Sequence, residues 1–310
     1  MGALRRVLLA GSQSRWLREQ ATRRRFVRRA VERFMPGERL EDALAAAAVL
    51  APRGIAAVLT RLGENVDREA EADEVRAHYE GALDRIAQDG APCEVSLKLT
   101  QLGLDLDRER CLQRVLALAE RAHARGIFLW IDMEQSGYVD ATLEVCRRAR
   151  AATPGVGVCL QSYLRRTPAD LAALLPTGAG VRLVKGAYME APEVAWPAKV
   201  DVDRAYFELA QTLLGDEARK AGVRAVFGTH DPRLIASIRE HAGGRALPPS
   251  ACEFHLLYGI QRQEQERLAA EGAAVRVLIS YGSYWFPWYM RRLAERPANV
   301  LFVARSLFRR

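Results

Sequence analysis

Short apolar runs recur along the chain from residue 54 onward, and stretches with a helical pattern separate them. Most of the runs are rich in Val, Ile, Leu or Phe, as expected of strands that are buried on both faces. The eight runs are IAAVLTRLG (55–63), CEVSLKL (93–99), IFLWID (127–132), GVGVCLQ (155–161), VRLVKGAY (181–188), RAVFGT (224–229), CEFHLLYG (252–259) and VRVLISYG (275–282). The pattern predicts eight strands that alternate with helices.

Two of the intervening segments carry helix boundary signals. The stretch RERCLQRVLALAERAHARG (108–126) ends with Gly126, which predicts a C-terminal cap. The stretch TPADLAALLP (167–176) begins with Thr167 as the predicted N-cap and Pro168 at the first helical position. Both segments are therefore expected to be helices that connect consecutive strands.

Eight strands alternating with helices are typical of an α/β fold, the (β/α)8 or TIM-type barrel. The rival is a doubly wound open sheet, but the GxGxxG dinucleotide fingerprint that favours it is absent. We predict a barrel catalytic domain over residues 54–310, preceded by an N-terminal helical arm over residues 1–53. A final helix after the last strand is expected to cap the barrel mouth.

Basic residues are concentrated near the N-terminus. The chain has 310 residues, of which 49% are hydrophobic, and a formal net charge of +8, which favours an acidic partner. Residues 1–33 hold ten arginines against Glu19 and Glu32. Because no nucleic-acid-binding motif accompanies them, we interpret the segment as a solvated basic helix and predict no nucleic-acid partner.

Cysteine spacing and the lengths of the apolar runs narrow the class of protein. The five cysteines are widely spaced and include no CxxC pair, as in a reduced cytoplasmic protein. No apolar run reaches the roughly 18 residues of a transmembrane helix. The five histidines include no HxH or HExxH pair, which argues against a metal centre.

Charged side chains fall at or near the ends of the predicted strands, where barrel enzymes build their active sites. Lys98 alternates with Leu97 and Leu99, so its side chain is expected in the barrel mouth. It is a candidate Schiff-base nucleophile, charge partner or anion anchor. Arg182 lies inside a strand and requires either an anionic ligand or a buried carboxylate such as that of Asp132.

Two histidines in the predicted strand regions have different expected roles. His230 in GTHD is a general base, a metal ligand or a hydrogen-bonded loop residue, and its sequence context leaves these roles open. His255 in EFHLLYG is expected to be a core histidine.

The stretch YGSYWFPWYMRRLAERPANV (281–300) combines aromatic and basic residues after the last strand. On a helix, Trp285, Trp288 and Arg292 share one side, and Glu295 is placed to pair with Arg291 or Arg292. The aromatic rings predict a lid over a partly apolar ligand. The two arginines, together with Lys98, predict a carboxylate clamp.

The ordered set of motifs resembles the bacterial monofunctional proline dehydrogenases, flavoenzymes built on a distorted (β/α)8 barrel. The motifs are SLKLTQLG, WIDMEQS, CLQSYLRRTPADL, VRLVKGAYME, VFGTHD, EFHLLYGIQ and YGSYWFPWYMRRLAERPANV, and the match covers about residues 40–308. The resemblance implies oxidation of L-proline to Δ1-pyrroline-5-carboxylate, with reduction of FAD. It also implies that the electrons pass to a membrane quinone.

The resemblance also implies roles for individual residues. Asp132 and Arg182 would be the catalytic polar residues of the active site. Lys98, Arg291 and Arg292 would hold the proline carboxylate, with Glu295 orienting the arginines. The residues expected to contact FAD are Met133, Gln161, Arg182, Lys185, Gly186, Ala187, Tyr188, Thr229 and His230.

Two positions depart from the family pattern. Leu278 and Trp288 stand where the family usually has tyrosines, so both lack a hydroxyl. We therefore expect a more apolar substrate pocket with an altered preference between L-proline and a ring-hydroxylated proline such as 4-hydroxyproline. The alternatives are oxidation of a related cyclic amino acid such as 4-hydroxyproline, a Schiff-base lyase using Lys98 or Lys185, and a catalytically silent barrel that serves as a binding module.

The basic N-terminal segment gains a second interpretation if the electron acceptor is a membrane quinone. Its arginines would then attract anionic lipid, at about 1 kcal/mol for each residue near the surface. The protein would be cytoplasmic and bound peripherally at the inner face of the membrane.

Overall fold

The computed structural model describes Val31 and residues 33–286. Within this part of the chain, eight parallel strands close into a barrel in which each strand pairs with the next and the last pairs with the first. The strands are β1 (Ile55–Arg61), β2 (Cys93–Leu97), β3 (Leu129–Ile131), β4 (Val156–Gln161), β5 (Gly180–Val184), β6 (Ala225–Gly228), β7 (Glu253–Leu257) and β8 (Ala274–Tyr281). The predicted (β/α)8 barrel is confirmed.

Helices surround the barrel and connect its strands. They are α1 (Leu40–Leu50), α2 (Glu69–Asp89), α3 (Arg108–Ala124), α4 (Val139–Ala152), α5 (Thr167–Leu174), α6 (Lys199–Leu213), α7 (Asp216–Lys220), α8 (Pro232–Gly244) and α9 (Arg262–Ala270). None of these described helices is both long and apolar enough to cross a bilayer.

One helix boundary differs from its prediction by one residue. Arg166, not Thr167, is the N-cap of α5. The Thr167 hydroxyl instead donates to the carbonyl oxygen of Gln161 at 2.6 Å, which ties the start of the helix to the end of β4. At the other predicted boundary, Gly126 follows α3 with φ +66°, a left-handed conformation that glycine adopts at low cost.

Aromatic side chains fill the barrel interior. Trp130 is fully buried there beside Val58 and Val226. A Cβ atom at Gly157 would lie 2.6 Å from the Trp130 ring, and one at Gly180 would lie 2.7 Å from the ring of Phe128. The two glycines therefore make room for the rings, and the interior is a packed core beneath the mouth.

Ion pairs between strands close the N-terminal end of the barrel. Arg224 donates to Glu94 at 2.7 Å and to Glu253 at 2.8 Å, and Arg276 contacts the same two carboxylates at 3.1 and 3.0 Å. His255 lies directly above and contacts Glu253 at 3.0 Å. The expectation that His255 is a core residue agrees with this position.

The described part of the N-terminal arm packs against the barrel. Helix α1 lies against β1 and β8 and contributes Ala43, Leu44, Ala46 and Ala47 to the core. The chain before it passes the turn after β7, where a Cβ atom at Gly259 would lie 1.7 Å from the Arg33 carbonyl oxygen. Residues 1–30 lie outside the described residues, so the division into an arm over 1–53 and a barrel over 54–310 stays a prediction.

Candidate active site

An ion-paired cluster lies at the C-terminal mouth of the barrel. Asp132 follows β3, and its Oδ2 accepts a hydrogen bond from the Lys98 ammonium at 2.9 Å. Its Oδ1 forms an ion pair with Arg182 Nη2. One carboxylate thus lies between two cations, and the Arg182–Asp132 pair is one of the two arrangements that the sequence left open for this arginine.

Ser96 and Cys159 complete the cluster, and sequence reasoning missed both. The Ser96 hydroxyl donates to Asp132 Oδ1 at 2.7 Å and accepts from Arg182 Nη2 at 2.7 Å. Arg182 Nε donates to the Cys159 sulfur at 2.8 Å, and that sulfur lies 3.7 Å from Asp132 Oδ1. Side chains two residues apart on a strand lie on the same face of the sheet. Ser96 is two residues before Lys98, and Cys159 is two residues before Gln161, so this spacing could have placed both at the same site.

The charges in the cluster stabilise one another. Burial alone would raise the pKa of Asp132, but the charges of Lys98 and Arg182 outweigh it and hold this pKa at about 2. Burial would likewise lower the pKa of Lys98, but the Asp132 carboxylate raises it above its ordinary value. At neutral pH the three groups are therefore ionised, with a combined charge of +1.

Arg182 Nη1 and Gln161 Oε1 are among the buried polar atoms that lack a hydrogen-bond partner within the residues that the structure describes. Both lie at the mouth. Gln161 does use its amide nitrogen, which donates to the Met133 carbonyl at 3.4 Å. Because buried polar groups are seldom left unpaired, a donor and an acceptor in this position suit a ligand that presents both kinds of atom.

In the loop after β5, a glycine packs closely against the ring of Tyr163. Gly186 has φ +109°, and a Cβ atom there would lie 2.3 Å from the ring of Tyr163. The Tyr163 amide donates to the Lys185 carbonyl at 3.0 Å, which holds the loop over β4. The neighbouring Ala187 and Tyr188 are half-buried.

Lys185 lies in a second charged cluster at the rim. Its ammonium donates to Asp203 at 2.6 Å and to Asp231 at 2.9 Å, and Lys199 contacts the same two carboxylates. The pKa of Asp231 falls to about 2, because hydrogen bonds from the two lysines outweigh its burial. The Thr229 hydroxyl accepts from the Asp231 amide at 3.1 Å, so this cluster also fixes the end of β6.

His230 and Leu278 have defined positions near the mouth. The Nε2 atom of His230 accepts from the Leu257 amide at 2.9 Å, a contact typical of a hydrogen-bonded loop residue. Leu278 is half-buried in the barrel interior, where it packs against Val58, Trp130 and Val226.

The predicted carboxylate clamp draws on the segment after β8. Trp288, Arg291, Arg292 and Glu295 lie outside the described residues. The segment that leads to them is described as far as Phe286, and Trp285 is buried there with its indole nitrogen donating to Glu38 at 3.0 Å. The described residues after β8 therefore pack against the chain that precedes α1.

Known proteins of one family match the chain over most of its length. The family model described as proline dehydrogenase matches residues 43–305. Proline dehydrogenase 1 of Bacillus subtilis (strain 168) is 34% identical over 307 residues, covering 99% of this chain and 100% of that protein. Proline dehydrogenase of Deinococcus radiodurans is 36% identical over 283 residues and 90% of both chains.

The fold also matches solved structures of larger proteins. The crystal structure of proline utilization A (PutA) from Bdellovibrio bacteriovorus, inactivated by N-propargylglycine, superposes with a TM-score of 0.80 and 25% sequence identity. The match covers 87% of this chain but 33% of that one. The likeness is therefore to one region of a longer polypeptide.

Proposed function

The chain belongs to the proline dehydrogenase family and is an oxidoreductase, and from this we propose that it oxidises L-proline to Δ1-pyrroline-5-carboxylate with FAD as the hydride acceptor. The observation that carries the proposal is the Lys98–Asp132–Arg182 cluster at the barrel mouth, with its charge of +1 and the unpaired Nη1 of Arg182. Such a site attracts a carboxylate and favours negative charge that develops during the reaction.

The described residues fit an FAD. A flavin ring presents both carbonyl oxygens and an N–H group along its edge, which complement Arg182 Nη1 and Gln161 Oε1. The Lys185 ammonium keeps one N–H beyond the two that it gives to aspartates. The residues proposed to hold FAD are Met133, Gln161, Arg182, Lys185, Gly186, Ala187, Tyr188, Thr229 and His230. FAD, when bound, accepts the hydride from the ring carbon next to nitrogen.

The protein's own residues position the substrate. Lys98 is a fixed cation that suits the substrate carboxylate, and the proposed clamp adds Arg291 and Arg292, oriented by Glu295. Neither Lys98 nor Asp132 changes charge near neutral pH, because their pKa values move away from it in opposite directions. Their contribution is therefore orientation and electrostatic stabilisation.

The ion pairs argue against a Schiff-base lyase. An amine must lose its proton before it can attack a carbonyl carbon. Asp132 holds Lys98 in its charged form by raising its pKa, and Lys185 is paired with two carboxylates. Hydride transfer needs neither amine as a nucleophile, so the observed pairing agrees with the dehydrogenase.

The product tests the reaction directly. Purified protein supplied with FAD, L-proline and an artificial electron acceptor should form Δ1-pyrroline-5-carboxylate, detected by mass spectrometry, at a rate proportional to enzyme concentration. An Arg182→Met variant should lose most of this rate. Product formation by the wild type without FAD, in protein stripped of cofactor, would contradict the proposal.

We also propose a cytoplasmic location with a membrane quinone as the final electron acceptor. Residues 1–33 supply ten arginines that would attract anionic lipid. The full chain should co-sediment with phosphatidylserine vesicles more than a chain lacking residues 1–30. If the two proteins co-sediment equally, the N-terminal segment does not bind the membrane.

A further inference from the structure

We propose that Cys159 is a positioning residue that fixes the plane of the Arg182 guanidinium at the barrel mouth. The inference rests on the proposed function, which places Arg182 in the catalytic site. No motif in the sequence assigns a role to this cysteine.

The strand register brings the two side chains together. Cys159 on β4 and Arg182 on β5 are direct partners in the parallel pair, so both side chains face the barrel interior. Both are buried. Arg182 Nε donates to the Cys159 sulfur at 2.8 Å, and the guanidinium carbon lies 5.1 Å from the centroid of the Trp130 ring below.

The contact between Arg182 Nε and the Cys159 sulfur gives the guanidinium a second point of attachment. Ser96 and Asp132 both bind the single nitrogen Nη2. A planar guanidinium held at one nitrogen still rotates about that point, whereas a second contact at Nε fixes its plane. Nη1 is then the nitrogen left for a ligand, and its direction depends on the contact at Nε.

A neutral thiol suits this position better than a charged group. Burial raises the pKa of Cys159 to about 11, so the sulfur accepts from Arg182 without adding a negative charge. Its S–H points to Asp132 Oδ1, 3.7 Å away. The thiol thus bridges the arginine and the aspartate as acceptor and donor, and the cluster keeps its charge of +1.

Two replacements separate this role from simple packing. Valine is larger than cysteine by about one methyl group and neither donates nor accepts, so a valine at another buried cysteine is needed to control for the added bulk. Serine keeps both functions in a smaller side chain. We expect Cys159→Val to lower kcat/KM for L-proline about tenfold, the scale of one lost hydrogen bond to a charged group, mainly through kcat. Cys159→Ser should stay within about threefold of the wild type, because its hydroxyl makes the same contacts.

Two further readouts do not depend on turnover. The reduction potential of bound flavin should fall in Cys159→Val, since a displaced Arg182 stabilises negative charge less well. In protein without cofactor, solvent exchange of the Arg182 Nε–H proton, followed by NMR, should be faster in Cys159→Val than in the wild type. The control is Cys146→Val, because Cys146 is a buried cysteine on α4 away from the mouth.

The three measurements on the cysteine variants either support or overturn the proposed role of Cys159. Slower turnover, a lower potential and faster exchange in Cys159→Val, with Cys146→Val unchanged, would support the proposal. It is overturned if Cys159→Val matches the wild type in all three measurements, or if Cys159→Ser is impaired as much as Cys159→Val. Failure of L-proline to reduce the wild-type flavin would defeat the proposed function instead, while the exchange measurement would still report on the Cys159–Arg182 contact.

Discussion

At the scale of single residues, Asp132 determines how the mouth is organised. It lies between Lys98 and Arg182 and also accepts from Ser96. Removing one member of such a buried set leaves the others uncompensated, which costs more than the contact contributes. The aspartate therefore supports both the stability of the barrel mouth and the geometry of its two cations.

Asp132→Asn tests this double role. The variant keeps the size of the side chain but leaves two cations without a counter-charge, so we expect the free energy of unfolding to fall by about 3 kcal/mol. We also expect kcat/KM for L-proline to fall about 100-fold or more, because the cations lose their orientation. Denaturant titration and steady-state kinetics measure the two effects, with the exposed Asp67→Asn as control. An active variant of wild-type stability would contradict the role.

Leu278 is half-buried in the barrel interior, where it packs against the cluster that contains Trp130. Leu278→Tyr adds a ring and a hydroxyl at a half-buried position, so we expect it to change the ratio of kcat/KM for L-proline to that for trans-4-hydroxy-L-proline by about fivefold or more. Leu278→Phe adds the ring alone and is the matched control. The same ratio in all three proteins would show that this residue does not affect the choice between substrates.

Sequence alone predicts part of this residue-level arrangement. Lys98 and Asp132 stand at strand ends, where polar side chains in a barrel converge. Ser96 and Cys159 are small residues inside apolar runs, and their importance depends on which side chains they meet across neighbouring strands. That information lies in the register, which the apolar pattern does not specify.

At the scale of elements, most of the strands are shorter than the apolar runs that predict them, as β5 shows. The predicted run 181–188 covers all of β5 except Gly180, but the sheet stops at Val184 and the loop turns at Gly186 with a positive φ. The apolar pattern therefore predicts the existence and order of the strands. For β5 it overestimates the length, because the residues that follow Val184 continue the composition of a strand without its pairing.

Helix α2 and the end of β8 are joined by a half-buried histidine. His78 Nε2 lies 2.8 Å from the Tyr281 hydroxyl. Burial and the charge of Arg61 lower the pKa of His78 from 6.5 to about 4. The folded state disfavours the protonated ring, so this part of the stability is present above pH 6.5 and is lost as the pH falls toward 4.

His78→Gln tests this linkage, because glutamine keeps a hydrogen bond to Tyr281 but does not titrate. Between pH 7 and pH 4.5, we expect the free energy of unfolding to fall more for the wild type than for the variant. Urea titrations across this range measure the difference. His123→Gln, at an exposed position on α3, should follow the wild type. Parallel pH curves for the wild type and His78→Gln would refute the linkage.

At the scale of the whole molecule, the two ends of the barrel have different chemistry. The N-terminal end pairs Arg224 and Arg276 with two glutamates, so its charges are balanced. At the mouth, the Lys98–Asp132–Arg182 cluster has a charge of +1, and Arg182 Nη1 and Gln161 Oε1 are unpaired within the described residues. The aromatic core between them isolates the two ends, and the ligand is therefore expected at the mouth.

The most direct test of the account is anaerobic addition of L-proline to purified protein loaded with FAD. The account predicts that the flavin absorbance near ~450 nm bleaches in proportion to the L-proline added. D-proline should leave it unchanged. FAD that binds but keeps its absorbance in the presence of excess L-proline would contradict the proposed reaction.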